Sequence, residues 1–252
     1  MNGIMREIGR RLSDGIVSLV YPAECRVCGG PAGPLRDGVA CPACWTEFDA
    51  AREAICLRCG VVLPGRLQRY ADQSPECGRC EDLAFDLARA CGPYEGALRH
   101  CVLELKTRPH FPARLRRMAV ETCDEILHSM RIDSILPVPL HVERLADRRF
   151  NQAELIARAI AEETSLPLDL SSTVRTKRTQ RHRAGMSPIE RSKSLRGAFR
   201  VRAGRLVRNR SILVVDDVMT TGSTVHEAAL ALRKAGATSV CVLALARARI
   251  YD

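Results

Sequence analysis

The sequence predicts an α/β protein with a mostly parallel, doubly wound sheet, preceded by a small module that needs staples. Three observations predict it. Apolar runs such as Ser211–Val215 lack the polar alternation of half-exposed strands, so both of their faces are covered. These runs alternate with segments of helical period. Eight of the 12 cysteines fall within residues 21–81, a stretch too poor in apolar runs to build a core alone.

Three regions follow in order. Residues 1–20 place Ile4, Ile8, Leu12, Ile16 and Leu19 at helical spacing with Arg6, Arg10 and Arg11 between them, an amphipathic helix suited to packing on its own domain. Residues 21–84 form the cysteine-rich module, and residues 85–252 the α/β domain. Within that domain Ala97–Lys106 and Ala113–Met130 read as helices, and Ser134–Val138 as a short buried strand. Asn151 with Glu154 makes a capping box for a helix to about Thr164. Ser211–Val215 is a strand, and Ser223–Ala235 a helix closed by Gly236 in the left-handed conformation. Ser239–Ala246 is a further strand.

Composition sets bounds on function. Hydrophobic residues make up 46% of the chain, enough for a core, while aromatics at 4% leave no stacking platform for single strands. A net charge of +10 favours polyanions: phosphorylated metabolites, nucleic acid or acidic surfaces. No run of 18 apolar residues is present, and the apolar stretch Gly15–Tyr21 ends in Tyr-Pro rather than a small-residue cleavage site. A cytoplasmic protein is expected, in which cysteines serve metal or thiol chemistry rather than disulfides.

The cysteines form four Cys-x-x-Cys pairs: Cys25/Cys28, Cys41/Cys44, Cys56/Cys59 and Cys77/Cys80. A two-residue gap lets both thiolates of a knuckle face one ion, and two knuckles complete a tetrahedral site. Four pairs therefore predict two structural Zn²⁺ sites. Sequential pairing is the simplest; crossed pairing is also compatible with the spacing. Gly29 and Gly60 follow their knuckles where a tight turn is expected. A thioredoxin-like dithiol is disfavoured, because no strand–helix context surrounds any pair. Cys91, Cys101, Cys123 and Cys241 lie outside the pattern and read as small hydrophobes.

The strand Ser211–Val215 leads into Asp216-Asp217-Val218-Met219, then Thr220-Thr221-Gly222-Ser223-Thr224, then a helix. The unpaired N–H groups at a helix start bind phosphate, hydroxyl side chains add donors, and glycine lets the backbone approach closely. Two carboxylates just before such a turn accept hydrogen bonds from vicinal sugar hydroxyls. Together they read a ribose 5-phosphate. The lysine of a P-loop is missing, as is the dinucleotide glycine pattern.

Val214–Thr224, VVDDVMTTGST, resembles the binding motif for 5-phosphoribosyl-1-pyrophosphate (PRPP) of type I phosphoribosyltransferases. The resemblance implies that fold, with Asp216 and Asp217 on the ribose hydroxyls and Thr220, Thr221, Gly222, Ser223 and Thr224 on the 5-phosphate. The cysteine knuckles, Tyr94-Glu95-Gly96, Leu105-Lys106, Pro137–His141, Arg149–Gln152 and Gly197-Ala198-Phe199 occur in the order seen in the ComF family. The chain is similar to that family, linked to competence and DNA uptake, over nearly its whole length. It departs from the pattern at Arg183 and Ser194, where relatives often carry Gln and Asn.

By the same resemblance, the loop after the first core strand takes pyrophosphate, which maps to Pro139, Leu140, His141 and Arg144. Residues 175–210 carry 13 Lys/Arg against one acid, Glu190. Arg175–Ser187 is polar and rich in breakers, the composition of a closing loop, and Arg175, Lys177 and Arg178 then face departing pyrophosphate. Two functions fit. One is a binder of PRPP with Mg²⁺, or of a related ribose phosphate, that grips single-stranded DNA during uptake beside DNA-uptake proteins. The other is an active phosphoribosyltransferase with an unknown acceptor.

Overall fold

The computed structural model describes residues 24–32, 38–50, 53–63, 77–78, 80–178 and 193–249. The amphipathic helix expected over residues 1–20, Arg183 and most of the basic loop lie outside the described residues. In chain order the described elements are α1 (Pro42–Ala50), β1 (Leu87–Ala90), α2 (Gly96–Leu105), α3 (Ala113–Ser129), β2 (Ser134–Pro137), α4 (Val142–Arg148), α5 (Gln152–Thr164), β3 (Thr173–Arg175), β4 (Phe199–Val201), a 3-10 turn (Gly204–Leu206), β5 (Ser211–Met219), α6 (Ser223–Lys234) and β6 (Ser239–Arg247).

The apolar runs pair with each other. β1, β6, β5 and β2 form one sheet in that order, and every neighbouring pair is parallel. Because side chains alternate along a strand, each run feeds two cores. Leu213 and Val215 of β5 meet Leu115, Cys123 and Ile126 of α3 and Ile156 and Ile160 of α5. Ile212 and Val214 meet Val225, Ala228 and Leu232 of α6. Helices on both faces make the sheet doubly wound, as expected. Each fully buried aliphatic side chain contributes about 1.5–3 kcal/mol, so these two layers dominate stability.

The cysteine-rich segment joins both layers. Cys25, Cys41, Cys44 and Trp45 belong to the core under α2 and α3. Cys56, Cys59, Cys80, Val61, Leu63 and Phe85 belong to the core under α6. Ala88 N donates to Arg58 O at 2.7 Å, so the outer edge of β1 is partly capped by this segment. Gly60 allows that approach: its φ is +67°, and a Cβ there would sit 2.9 Å from Ala88 O.

Local expectations hold in detail, with three revisions. Asn151 Oδ1 accepts from Ala153 N at 3.1 Å and so caps α5. Glu154 does not complete the capping box; its carboxylate pairs with Arg158 one turn on. Gly236 ends α6 at φ +94°. Second, β5 runs four residues beyond the apolar stretch, because β6 continues beside it and pairs Val218 with Ala246 and Met219 with Arg247. The acidic pair therefore stands on the strand rather than after it. Third, part of the presumed loop after β2 is α4, and Arg175 ends β3, which pairs antiparallel with β4. Cys101, Cys123 and Cys241 are buried among apolar side chains, and Cys91 packs at the edge of the same core.

Candidate functional site

The carboxyl ends of a parallel sheet, where strand leaves for helix, are where ligands of such folds bind. Asp216 and Asp217 stand there on β5, both partly exposed. Asp217 Oδ2 lies 3.5 Å from Lys106 Nζ at the end of α2. Asp217 N donates to Asp216 Oδ1 at 2.9 Å, and Val218 N to Asp217 Oδ1 at 2.8 Å, which orients both carboxylates. Burial pushes the Asp216 carboxyl up to about 8, reinforced by the neighbouring Asp217 charge and offset in part by Arg175 and Lys106.

The turn that follows brings its hydroxyls together. Thr221 Oγ1 and Ser223 Oγ are 2.8 Å apart. Gly222 is buried in the left-handed region at φ +82° and brings no side chain to the start of α6, where Ser223 N donates to Thr221 Oγ1 at 3.4 Å. A Cβ at Gly222 would press on Met219 Cε at 3.1 Å. Thr220, Thr221, Ser223 and Thr224 are each partly exposed, so the helix start and its hydroxyls face outward beside the carboxylates. A helix start that follows a glycine and stands next to two carboxylates offers donors for an anion and acceptors for hydroxyls in one place.

Cationic residues rim this place. Arg175 on β3 lies over the Phe199 ring at 5.5 Å and is half-buried. Burial lowers its pKa, the Arg144 charge lowers it further, and Asp216 opposes both. Arg144 on α4, Arg175 and Asp216 thus share one electrostatic neighbourhood. Pro139 and Leu140 follow β2, and His141 caps α4, its Nδ1 accepting from Glu143 N at 3.4 Å. Lys177 Nζ donates to Arg196 O at 2.7 Å, and Arg178 Nη1 pairs at 2.5 Å with Glu143 Oε2 on α4, the helix that carries Arg144. Sequence reading passed over Lys106 as a site residue; its signal was the Leu105-Lys106 segment at the end of a helix.

The cysteines resolve into two groups, Cys25/Cys28/Cys41/Cys44 and Cys56/Cys59/Cys77/Cys80, each with all its sulfurs within 4.8 Å of one another. The pairing is sequential, so crossed pairing is excluded. Nearest sulfurs are 3.8 and 3.9 Å apart in the first group and 3.6 and 3.9 Å in the second. Four zinc–sulfur bonds of about 2.3 Å in a tetrahedron give edges of about 3.8 Å, so both groups fit structural Zn²⁺. Gly29, Gly60 and Gly78 each follow a knuckle residue at positive φ.

A family model described as a phosphoribosyl transferase domain matches residues 151–251, and one described as a double zinc ribbon domain matches residues 16–91. Competence protein F of Haemophilus influenzae is 30% identical over 234 residues, 89% of this chain and 97% of that protein. DNA utilization protein YhgH of Salmonella typhimurium is 32% identical over 241 residues, 91% of this chain and 99% of that protein. Competence protein ComFC of Streptococcus pneumoniae is 26% identical over 215 residues, 84% and 89% of the two chains.

Proposed function

Because this chain belongs to the ComF family of competence and DNA-utilization proteins, we propose that it binds PRPP, or a related ribose 5-phosphate, and acts in DNA uptake by gripping single-stranded DNA. The observation that carries the ribose-phosphate half is the meeting of Asp216 and Asp217 with the hydroxyl-lined start of α6, rimmed by Lys106 and Arg175. The carboxylates accept the vicinal ribose hydroxyls. The 5-phosphate sits on the α6 N–H groups and the hydroxyls of Thr220, Thr221, Ser223 and Thr224. Pro139, Leu140, His141 and Arg144 are assigned to the pyrophosphate, with Arg175, Lys177 and Arg178 as the cations that neutralise it as it leaves. Mg²⁺ arriving with PRPP would neutralise pyrophosphate oxygens, and the Asp216 and Asp217 carboxylates fit its ligand preference.

The DNA half draws support from the relatives and from charge. Arg200, Arg202, Arg205, Arg208 and Arg210 are all exposed. Such a set makes contacts to phosphate that ignore sequence and weaken with salt. The zinc ribbons, closed Cys₄ sites with no open coordination position, act as a scaffold for that grip rather than as a catalyst. Among the described residues no helix is long and apolar enough to cross a membrane. The proposed place of action is the cytoplasm, beside the DNA-uptake proteins.

Calorimetric titration of the purified chain with PRPP and Mg²⁺ tests the first half. Saturable binding is expected, and none at millimolar ligand would end the ribose-phosphate reading. Pyrophosphate release, with and without nucleobases, separates a binder from a transferase, since turnover would favour the latter. A steep salt dependence of single-stranded DNA binding, without turnover, is the result expected here.

A further inference from the structure

Arg247 ends β6 with 2% of its surface exposed. Its backbone is fixed to the turn after β1: Arg247 N donates to Gly92 O at 2.9 Å, and Tyr94 N donates to Arg247 O at 2.8 Å. Its Nη2 points at Cys59 Sγ, 3.9 Å away. Its Nε and Nη1 are buried with no hydrogen-bond partner among the described residues. A buried guanidinium is costly unless an anion compensates it. The second cysteine group supplies that anion when it holds zinc as thiolates, Cys59 Sγ being the sulfur that Arg247 Nη2 faces.

Four thiolates around Zn²⁺ carry a net charge of about −2, and N–H donors to the sulfurs stabilise such centres. At the first cluster, Cys25 Sγ accepts from the backbone N–H groups of Val27 and Cys41. The second cluster has a buried cation as well.

The same guanidinium reaches the phosphate turn. Arg247 Nη1 lies 3.9 Å from where a Cβ on Gly222 would be, with Leu83 Cδ1 at 3.6 Å. Leu83 N donates to Cys80 O at 3.1 Å, and Leu83 O accepts from Arg58 Nη2 at 3.0 Å, so Leu83 is anchored to the second ribbon. Ala84 N then donates to His226 Nδ1, in the first turn of α6, at 3.1 Å. The ribbon therefore braces the helix start directly.

We propose that Arg247 is the counter-cation of the second Cys₄ zinc centre and a positioning residue that couples this centre to the Gly222 turn. The second clause rests on the ribose-phosphate reading of that turn; the first does not. Loss of zinc from Cys56, Cys59, Cys77 and Cys80 strands a buried charge beside the turn, and the turn shifts to solvate it. Among the described residues, the first centre, on the opposite face of the sheet, has no such link.

The test compares the full-length, zinc-loaded chain with Arg247→Met and Arg247→Lys. Zinc release to a coloured chelator and affinity for PRPP with Mg²⁺ are both measured. In Arg247→Met, one of two zinc equivalents is expected to leave at least tenfold faster, the other at the parent's rate. PRPP affinity falls tenfold or more, and Arg247→Lys lies between on both readouts. Parental zinc release in Arg247→Met, or in Arg247→Gln should the first variant not fold, overturns the counter-cation role. Faster zinc release with parental PRPP affinity overturns the coupling. If the parent chain fails to bind PRPP, the ribose-phosphate reading is lost, and zinc release still decides the counter-cation role.

Discussion

Asp216 and Asp217 differ in their surroundings although they are adjacent. Asp217 has Lys106 at 3.5 Å, whereas Asp216 is pushed up to about 8 by burial and then by Asp217 itself. Hydroxyl donors and Mg²⁺ both favour the ionised form, so a ligand that uses Asp216 displaces its proton. PRPP affinity is therefore expected to rise from pH 6 to pH 9, with proton release visible as a buffer-dependent heat of binding. Asp216→Asn should flatten that slope. The same shift has the opposite sign for stability. The folded state holds a proton that the unfolded chain releases, so this group's contribution falls as pH rises from the ordinary carboxylate range through about 8. Urea midpoints of the parent and Asp216→Asn across that range check it; parallel curves would contradict it. Asp217→Asn should lower PRPP affinity tenfold or more by calorimetry, and unchanged affinity would count against the whole site assignment.

At the scale of elements, β5, its turn and α6 act as one device. β5 is held by β6 as far as Met219, so the turn starts from a rigid edge. Glu227 on α6, 9% exposed, accepts from Gly197 N at 2.7 Å and ties the helix to the segment before β4. Gly222 permits the turn at φ +82°. Gly222→Ala meets both a left-handed backbone and Met219 Cε, and should cost about 1–2 kcal/mol in chemical unfolding. It should also weaken inorganic phosphate binding, because the helix start no longer closes around the anion. A midpoint equal to the parent's would show that the turn relaxes freely.

Across the whole molecule, the zinc ribbons are built into the core. Cys25, Cys41 and Cys44 pack under one face of the sheet, and Cys56, Cys59 and Cys80 under the other. Removing zinc unfastens both layers, so chelation should lower the thermal midpoint of the entire chain, with one cooperative transition. A loss of a few kcal/mol at about 2–4 °C per kcal/mol gives a drop of about 10 °C. A midpoint unmoved by chelation, with only the ribbon signal lost, would mean that the ribbons unfold alone.

Read alone, the chain determined α2, α3, α5 and α6, the strands β2, β5 and β6, the two Cys₄ groups and the hydroxyl-rich turn before α6, because each rests on short-range spacing. Continuous apolar runs against a 3.6-residue period, two-residue gaps between cysteines, and hydroxyls at a helix start are all visible within about twenty residues. Even there, neighbours moved boundaries: β6 carried β5 past its apolar run, and Arg158 took Glu154 from its capping role. What only the tertiary structure decided was which distant residues meet. Lys106 reaches Asp217, Arg175 comes within range of Asp216, sequential pairing of the knuckles is chosen over crossed, and Arg247 is buried between a thiolate cluster and the phosphate turn. No local pattern encodes these meetings. They follow from packing two apolar faces of one sheet at once, which sets where the ends of β1, β5 and β6 lie in space.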